Sequence, residues 1–279
     1  MGDEQWQVIT GDCAVVMREQ IADGTIDLTV TSPPYDNLRK YNGYHFDFEA
    51  IAAELWRVTK PGGVVVWVVA DATINGSETG TSFRQALHFM GLGFNLHDTM
   101  IYQKPHLSFP DHARYWQGFE YMFVFSKGKP QSFNPLKDRE NKGAGRKVTG
   151  IDRCSNGAFK ARSGAGNIVP RHSLRFNVWT ISNAQRYDFN HPGQFPEALA
   201  RDHIISWSNP GDVVLDPMCG SGTTGKQAVL LGRRFIGIDI SSEYVEGIAR
   251  PRIQAAAEQA RQAELPLASR LSAARENRS

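Results

Sequence analysis

Two short stretches carry residue types with chemical potential. The first is "TSPPY", residues 31–35. Its two prolines fix the backbone and remove two N–H donors. A hydroxyl, Ser32, precedes them and a phenol, Tyr35, follows. The result is a rigid, donor-poor corner with a polar group on each side. The second is "DPMCGSGTTGK", residues 216–226. Gly220 and Gly222 let the backbone turn tightly, and a helix beginning near Thr223 presents its first amides to a ligand. Asp216 precedes the turn, and Asp239 lies at the tip of the later strand, in "FIGIDI".

Two ligands compete for the turn. The spacing Gly220-x-x-x-x-Gly225-Lys226 matches a phosphate-binding loop, but Gln227 stands where a magnesium-binding hydroxyl belongs. Asp216 would also repel a triphosphate. The two carboxylates better suit S-adenosylmethionine, which has a cationic amino-acid end and a ribose but no phosphate; Asp239 would accept from both ribose hydroxyls. The structural alternatives are a plain strand-turn-helix junction and, for "TSPPY", a proline-rich strand exit.

Periodicity predicts the elements that position these residues. "QWQVITGD" reads as a strand, "CAVVMREQI" as a helix and "IDLTVTSPPY" as a strand stopped by its prolines. "FDFEAIAAELWRVTK" has helical spacing with "PGG" as its stop, and "VVVWVVAD" is a β-branched run suited to a parallel sheet. "TSFRQALHFMGLG" is a helix; "FNLHDTMIYQK" and "EYMFVFSKGK" are strands. Regular pattern fades over 131–178, then returns as helix "FPEALARDHIISWS", strand "DVVLD", helix "GTTGKQAVLLG" and strand "RFIGIDI". The alternation predicts an α/β fold with a mostly parallel sheet. From about Glu243 the chain is polar and alanine-rich, which predicts a helical tail.

Composition narrows the classes. The 279 residues are 41% hydrophobic and 22% charged, with a net charge of +2. Any nucleic-acid surface must therefore come from local clustering. Segment 131–178 supplies a cluster: ten basic residues against Asp138, Glu140 and Asp152. Cys13, Cys154 and Cys219 are far apart and form no CxxC, which argues against a zinc site or disulfide framework and for a reducing cytoplasm. The start, "MGDEQWQVIT", is too polar for a signal peptide, and the run "VVVWVVA" is too short to span a bilayer.

Together, "TSPPY" and "DPMCGSGTT" resemble the catalytic and methyl-donor motifs of the DNA amino-methyltransferases, the N6-adenine and N4-cytosine methylases. The catalytic motif comes first and the donor motif last, with the basic segment between, an order that resembles the β class. The resemblance implies a Rossmann-like S-adenosylmethionine-dependent methyltransferase fold, circularly permuted, with an inserted target-recognition segment. It divides the chain into a catalytic half (1–130), the insertion (131–178), a donor-binding half (179–250) and the polar helical tail (251–279).

The resemblance also implies site residues. Asp12 lies near the donor's adenine, and Phe195, Pro196 and Glu197 near its methionine. Asp216, Pro217, Met218, Gly220, Ser221, Gly222 and Thr223 form the donor loop, and Asp239 holds the ribose. Met218 stands where an aromatic residue is usual, and a flexible apolar side chain fills similar space. In the corner, Ser32 Oγ and the Pro33 carbonyl accept the N–H bonds of an exocyclic amino group, drawing its nitrogen toward tetrahedral geometry. Pro34 fixes that carbonyl, and Tyr35 stacks on a base flipped from the duplex. No Pro-Cys pair occurs, so methylation at cytosine carbon-5 is not expected.

Double-stranded DNA is the implied partner; members of the family often form homodimers, and the oligomeric state and a partner restriction endonuclease both stay open. Arg39, Lys40 and Tyr41 follow the corner, and Lys142, Arg146, Lys147, Arg153 and Arg162 lie in the basic segment, all as DNA contacts. Stretch 31–44, "TSPPYDNLRKYNGY", resembles solitary and phage-type adenine enzymes, so adenine N6 is the expected target and cytosine N4 the alternative. RNA and protein-glutamine methyltransferases carry a related corner, but the basic insertion and motif order argue against them. A non-catalytic DNA-binding regulator is disfavoured by the intact corner and both carboxylates.

Overall fold

The computed structural model describes residues 5–35, 46–105, 114–182 and 196–264. The first elements are β1 (Trp6–Thr10), α1 (Cys13–Gln20), β2 (Ile26–Thr31), α2 (Phe48–Val58) and β3 (Thr59–Val69). Next come β4 (Thr73–Ile74), β5 (Ser77–Glu78), α3 (Thr81–Gly91), β6 (Asn95–Gln103) and β7 (Phe119–Ser126). Four very short strands follow: β8 (Arg139–Glu140), β9 (Ile151–Arg153), β10 (Phe159–Ala161) and β11 (His172–Ser173). The last are β12 (Val178–Thr180), α4 (Glu197–Trp207), β13 (Val213–Asp216), α5 (Thr223–Leu230), β14 (Arg234–Asp239), α6 (Ser242–Tyr244), a π-helical turn over Val245–Ala249, and α7 (Arg250–Glu264).

Local chemistry explains most boundaries. Asp12 and Asp47 cap α1 and α2, accepting the amides of Val15 at 3.0 Å and Ala50 at 3.1 Å. α2 ends at Val58, before the expected "PGG" stop: its C-cap Thr59 is already extended at φ −70° and ψ 129°, with its N–H on Leu55 O. The chain is extended from Thr59, and "PGG" lies inside β3, where the register against β2 shifts between Ile26 and Leu28.

Eight strands form one sheet in the order β1-β14-β13-β2-β3-β7-β6-β12. β7 runs antiparallel to both its neighbours, β3 and β6, and every other pairing is parallel. The mostly parallel sheet is thus as expected. β13, from late in the chain, pairs directly with β2, so the segments before and after residues 135–176 build a single sheet. The edge strand β12 was not expected; three residues are too few to show a period.

The chain divides into two compact units, Met1–Asn134 with Asn177–Ser279, and Pro135–Phe176. The larger holds the core, centred on the fully buried Trp67, Phe89 and Phe125. Phe89 and Phe125 stack at 4.7 Å, and Trp67 Nε1 donates to Gln85 Oε1 at 2.8 Å. Each such side chain contributes about 1.5–3 kcal/mol by leaving water. The smaller unit contains no buried residue. Two antiparallel ribbons, β8–β11 and β9–β10, and an Arg175–Asp138 ion pair hold it together. Among the described residues, no helix is long and apolar enough to cross a membrane.

Candidate active site

The corner leaves the carboxyl end of β2, beside the carboxyl end of β13. Open α/β sheets bind ligands at this edge. Thr31 is fully buried, and its Oγ1 donates to Asp216 Oδ1 at 2.8 Å, joining segments 185 residues apart. Pro33 is buried, while Ser32, Pro34 and Tyr35 are half-buried. Ser32 Oγ lies 2.9 Å from Tyr35 Oη, which donates to Glu120 Oε2 at 2.9 Å. The other oxygen of Glu120 pairs with Lys104 Nζ at 2.6 Å. The phenol is therefore anchored at its hydroxyl from two sides.

The glycine-rich loop runs from β13 into α5. Gly222 has φ +74°, and a Cβ there would meet Ala249 Cα at 3.1 Å, so glycine is required. Asp239, at the tip of β14, accepts Gly220 N–H on Oδ2 at 2.8 Å and Ser241 N–H on Oδ1 at 2.9 Å. A carboxylate offers about four acceptor sites, so each oxygen keeps one for a ligand. Two such sites side by side fit the adjacent hydroxyls of a ribose. Burial raises the Asp239 carboxyl above its ordinary range, partly offset by the two amides.

The lysine of the phosphate-loop spacing is engaged elsewhere. Lys226 Nζ pairs with Glu197 Oε1 at 2.7 Å, and Arg252 reaches the same oxygen at 2.6 Å. Gln227 Nε2 donates to Glu197 Oε2 at 3.0 Å. Burial pushes the Glu197 carboxyl up, but the hydrogen bonds and charges of Lys226 and Arg252 outweigh it and hold the group below its usual range. A phosphate-binding role for Lys226 is not what this geometry provides.

A family model described as DNA methylase matches residues 26–250. The chain belongs to the DNA methylase family. The methylase is 57% identical over 246 residues to the orphan methyltransferase M.BamHII of Bacillus amyloliquefaciens, covering 85% of this chain and 92% of that one. Among solved structures, the cytosine-N4-specific PvuII DNA methyltransferase matches at TM-score 0.63 and 19% identity, over 92% of this chain and 93% of that one. The M1.HpyAVI–SAM complex matches at 0.59 and 22% identity, over 89% and 99%. These two likenesses concern the fold.

The methylase brings together most of the residues singled out from sequence. The Thr31–Asp216 bond joins the corner to the glycine-rich loop, and the Gly220–Asp239 bond joins that loop to β14. Asp12 is exposed and caps α1, and Gly11 N–H bonds to Asp239 O at 2.9 Å, keeping Asp12 beside that strand tip. Met218 is partly buried against the core, and Pro217 is buried. Pro196 opens α4; Phe195, Arg39, Lys40 and Tyr41 lie outside the described residues. Lys142, Arg146, Lys147, Arg153 and Arg162 are exposed in the smaller unit, with Arg162 tied to Asp152 at 3.2 Å.

Several of these residues also have protein partners. Asp216 is 2% exposed, with Thr31 Oγ1 and Met218 N–H both on its Oδ1, so it braces the loop against the corner. Glu197 is likewise held by protein donors. Ser221 and Thr223 turn their hydroxyls toward Arg252 Nη1, at 3.2 and 3.1 Å. Arg252, in the stretch expected as a polar tail, sits on α7 and reaches the glycine-rich loop; no local pattern marks Glu120 or Lys104. Burial pushes the Cys13 thiol up to about 12 and the Cys219 thiol well above its ordinary value, which keeps both in the thiol form. Among the described residues, no cluster of three or more His, Cys, Asp or Glu side chains forms a metal site.

Asp216 makes stability depend on pH. Burial raises its carboxyl from 3.8 to about 6, despite hydrogen bonds from Thr224, Thr31 and Met218 that lower it. The folded state then binds the proton more tightly than the unfolded state. This contribution is fully present below 3.8 and is lost as pH rises through about 6. Asp216→Asn keeps an acceptor for Thr31 and Met218 but has no charge to bury. Its stability gain is expected to be near zero at pH 3.5 and about 2–3 kcal/mol at pH 7. Thermal melts of both proteins across that range check this; a constant gap would show that Asp216 does not titrate as described.

Proposed function

We propose that this methylase transfers a methyl group from S-adenosylmethionine to the exocyclic amino group of a base flipped out of duplex DNA. The observation that carries the proposal is the Thr31–Asp216 hydrogen bond, which holds the corner at the edge of the donor loop. Bound S-adenosylmethionine supplies a methyl group on a positively charged sulfur. Asp239 would hold the ribose hydroxyls, with the Gly220–Thr223 backbone alongside and Asp12 near the adenine. Asp216 and Glu197 would keep the loop in shape. In the corner, Ser32 Oγ and the Pro33 carbonyl would accept the two amino hydrogens, while the Tyr35 ring would face the base. Preorganised acceptors of this kind act without reorganising during the reaction.

Of the two amino groups, the proposal takes adenine N6, on the resemblance of residues 31–44. Incubating unmethylated genomic DNA with enzyme and donor, then digesting to nucleosides and weighing them, tests it. N6-methyladenine is the expected product. N4-methylcytosine without N6-methyladenine would move the target to cytosine and leave the residue roles intact. No methylated nucleoside at all would sink the proposal.

Asp239→Ala is expected to weaken donor binding by about ten- to a hundredfold, the cost of a carboxylate that accepts two hydroxyls. Calorimetry with S-adenosylmethionine reads this directly, and unchanged affinity would remove Asp239 from the site. For DNA, replacing Arg146 and Lys147 together by alanine is expected to lower the log–log salt slope of binding by roughly 0.9 per lost phosphate contact. A slope that does not move would take the smaller unit off the DNA.

A further inference from the structure

We infer that Glu120, clamped by Lys104, orients the Ser32 hydroxyl through Tyr35 so that Ser32 only accepts hydrogen bonds from the substrate amino group. The inference rests on the proposed methyl transfer to an amino group and extends it to two residues outside the corner. A carboxylate accepts and does not donate. Lys104 Nζ lies on Glu120 Oε1 at 2.6 Å, and Tyr35 Oη donates to Glu120 Oε2 at 2.9 Å. Glu120 is buried, so water offers little competition for that oxygen.

A phenol has a single proton, and this one is committed to Glu120. The contact of 2.9 Å between Ser32 Oγ and Tyr35 Oη can then be made only with the serine proton pointing at the phenol oxygen. The lone pairs of Ser32 are thereby left for an incoming donor. An amino group brings two N–H donors and one nitrogen lone pair. A serine that accepts from an N–H frees the lone pair; a serine that rotates and donates to the nitrogen ties it up. The direction of the chain from Ser32 to Tyr35 to Glu120 thus decides whether the hydroxyl helps or hinders. Glu120 and Lys104 are positioning residues, acting on the reacting nitrogen through Tyr35 and Ser32.

Both residues sit where the fold places them. Glu120 lies near the start of β7, opposite Tyr102, and Lys104 just follows the end of β6. The antiparallel pairing of these strands, beside β3, brings the ion pair to the same sheet edge as the corner.

A double-mutant cycle tests the inference, with single-turnover transfer of tritiated methyl from S-adenosylmethionine to DNA as the readout. Glu120→Gln keeps the shape but supplies an amide that can donate to the phenol. Tyr35→Phe keeps the ring and deletes only the hydroxyl. Each is expected to slow transfer by about ten- to a hundredfold while donor affinity stays within about twofold. The double variant is expected to be no slower than the slower single variant, because both break one chain. Multiplicative losses, or a Glu120→Gln enzyme as fast as wild type, would overturn the inference. Should Glu120→Gln fail to fold, as read by circular dichroism, the cycle is run with Ser32→Ala and Tyr35→Phe, where multiplicative losses again overturn it. Wild-type enzyme that methylates no DNA would instead sink the proposed reaction; wild-type turnover with multiplicative variants sinks only the orienting chain.

Discussion

Tyr35→Ala is expected to slow methyl transfer by at least about a hundredfold while leaving donor affinity within about twofold. Two losses combine. The ring face that would hold the flipped base disappears, and such a stack contributes about 1–3 kcal/mol. The hydroxyl that bridges Ser32 and Glu120 disappears with it. Neither contact touches the donor loop, so the defect belongs in turnover rather than in donor binding. Rapid-quench transfer on saturating DNA and calorimetry with S-adenosylmethionine separate the two. A variant that loses donor affinity but turns over normally would remove Tyr35 from the base pocket.

Arg252→Ala is expected to destabilise the fold by about 3 kcal/mol and lower Tm by about 6–12 °C. The Arg252 side chain is 8% exposed. It donates to Ser221 O at 3.1 Å, to the Ser221 and Thr223 hydroxyls, and to Glu197 at 2.6 Å. Removing it strands buried acceptors that water cannot reach. Arg252→Lys is expected to recover only part of the loss, because an ammonium cannot present the same planar fork. Donor affinity is expected to fall in step with stability, since the braced loop is the one proposed to hold the donor. Melting curves with and without donor check both; a Tm within 2 °C of wild type would show that the loop holds its shape unaided.

These two variants also mark what the sequence discloses and what it conceals. "TSPPY" and "DPMCGSGTT" were legible because turn chemistry is local: prolines stop β2, and Gly222 adopts a backbone that other residues resist. The parallel strands were legible from continuous β-branched runs such as Val64–Val69. Partnerships across the sequence were not. Glu120 lies 85 residues from Tyr35, and Arg252 lies 55 from Glu197, with no periodic signal linking either pair. Asp216 looked like a ligand contact because a carboxylate at a strand tip usually faces the cleft. In the structure its Oδ1 accepts from Thr31, on the adjacent strand, and from the Met218 amide.

The placement of β13 between β2 and β14 has a consequence for biosynthesis. β2 cannot find its permanent neighbour on that side until the ribosome has released a strand that follows it by some 185 residues, the separation of Thr31 and Asp216. At about 5–20 residues per second, that is a wait of roughly 10–40 s. Throughout it, an apolar strand waits with one row of amides and carbonyls unmatched, the kind of edge that pairs with other chains. Holding nascent chains apart, by slower initiation or by chaperones that cover exposed strands, is therefore expected to raise the yield of active enzyme.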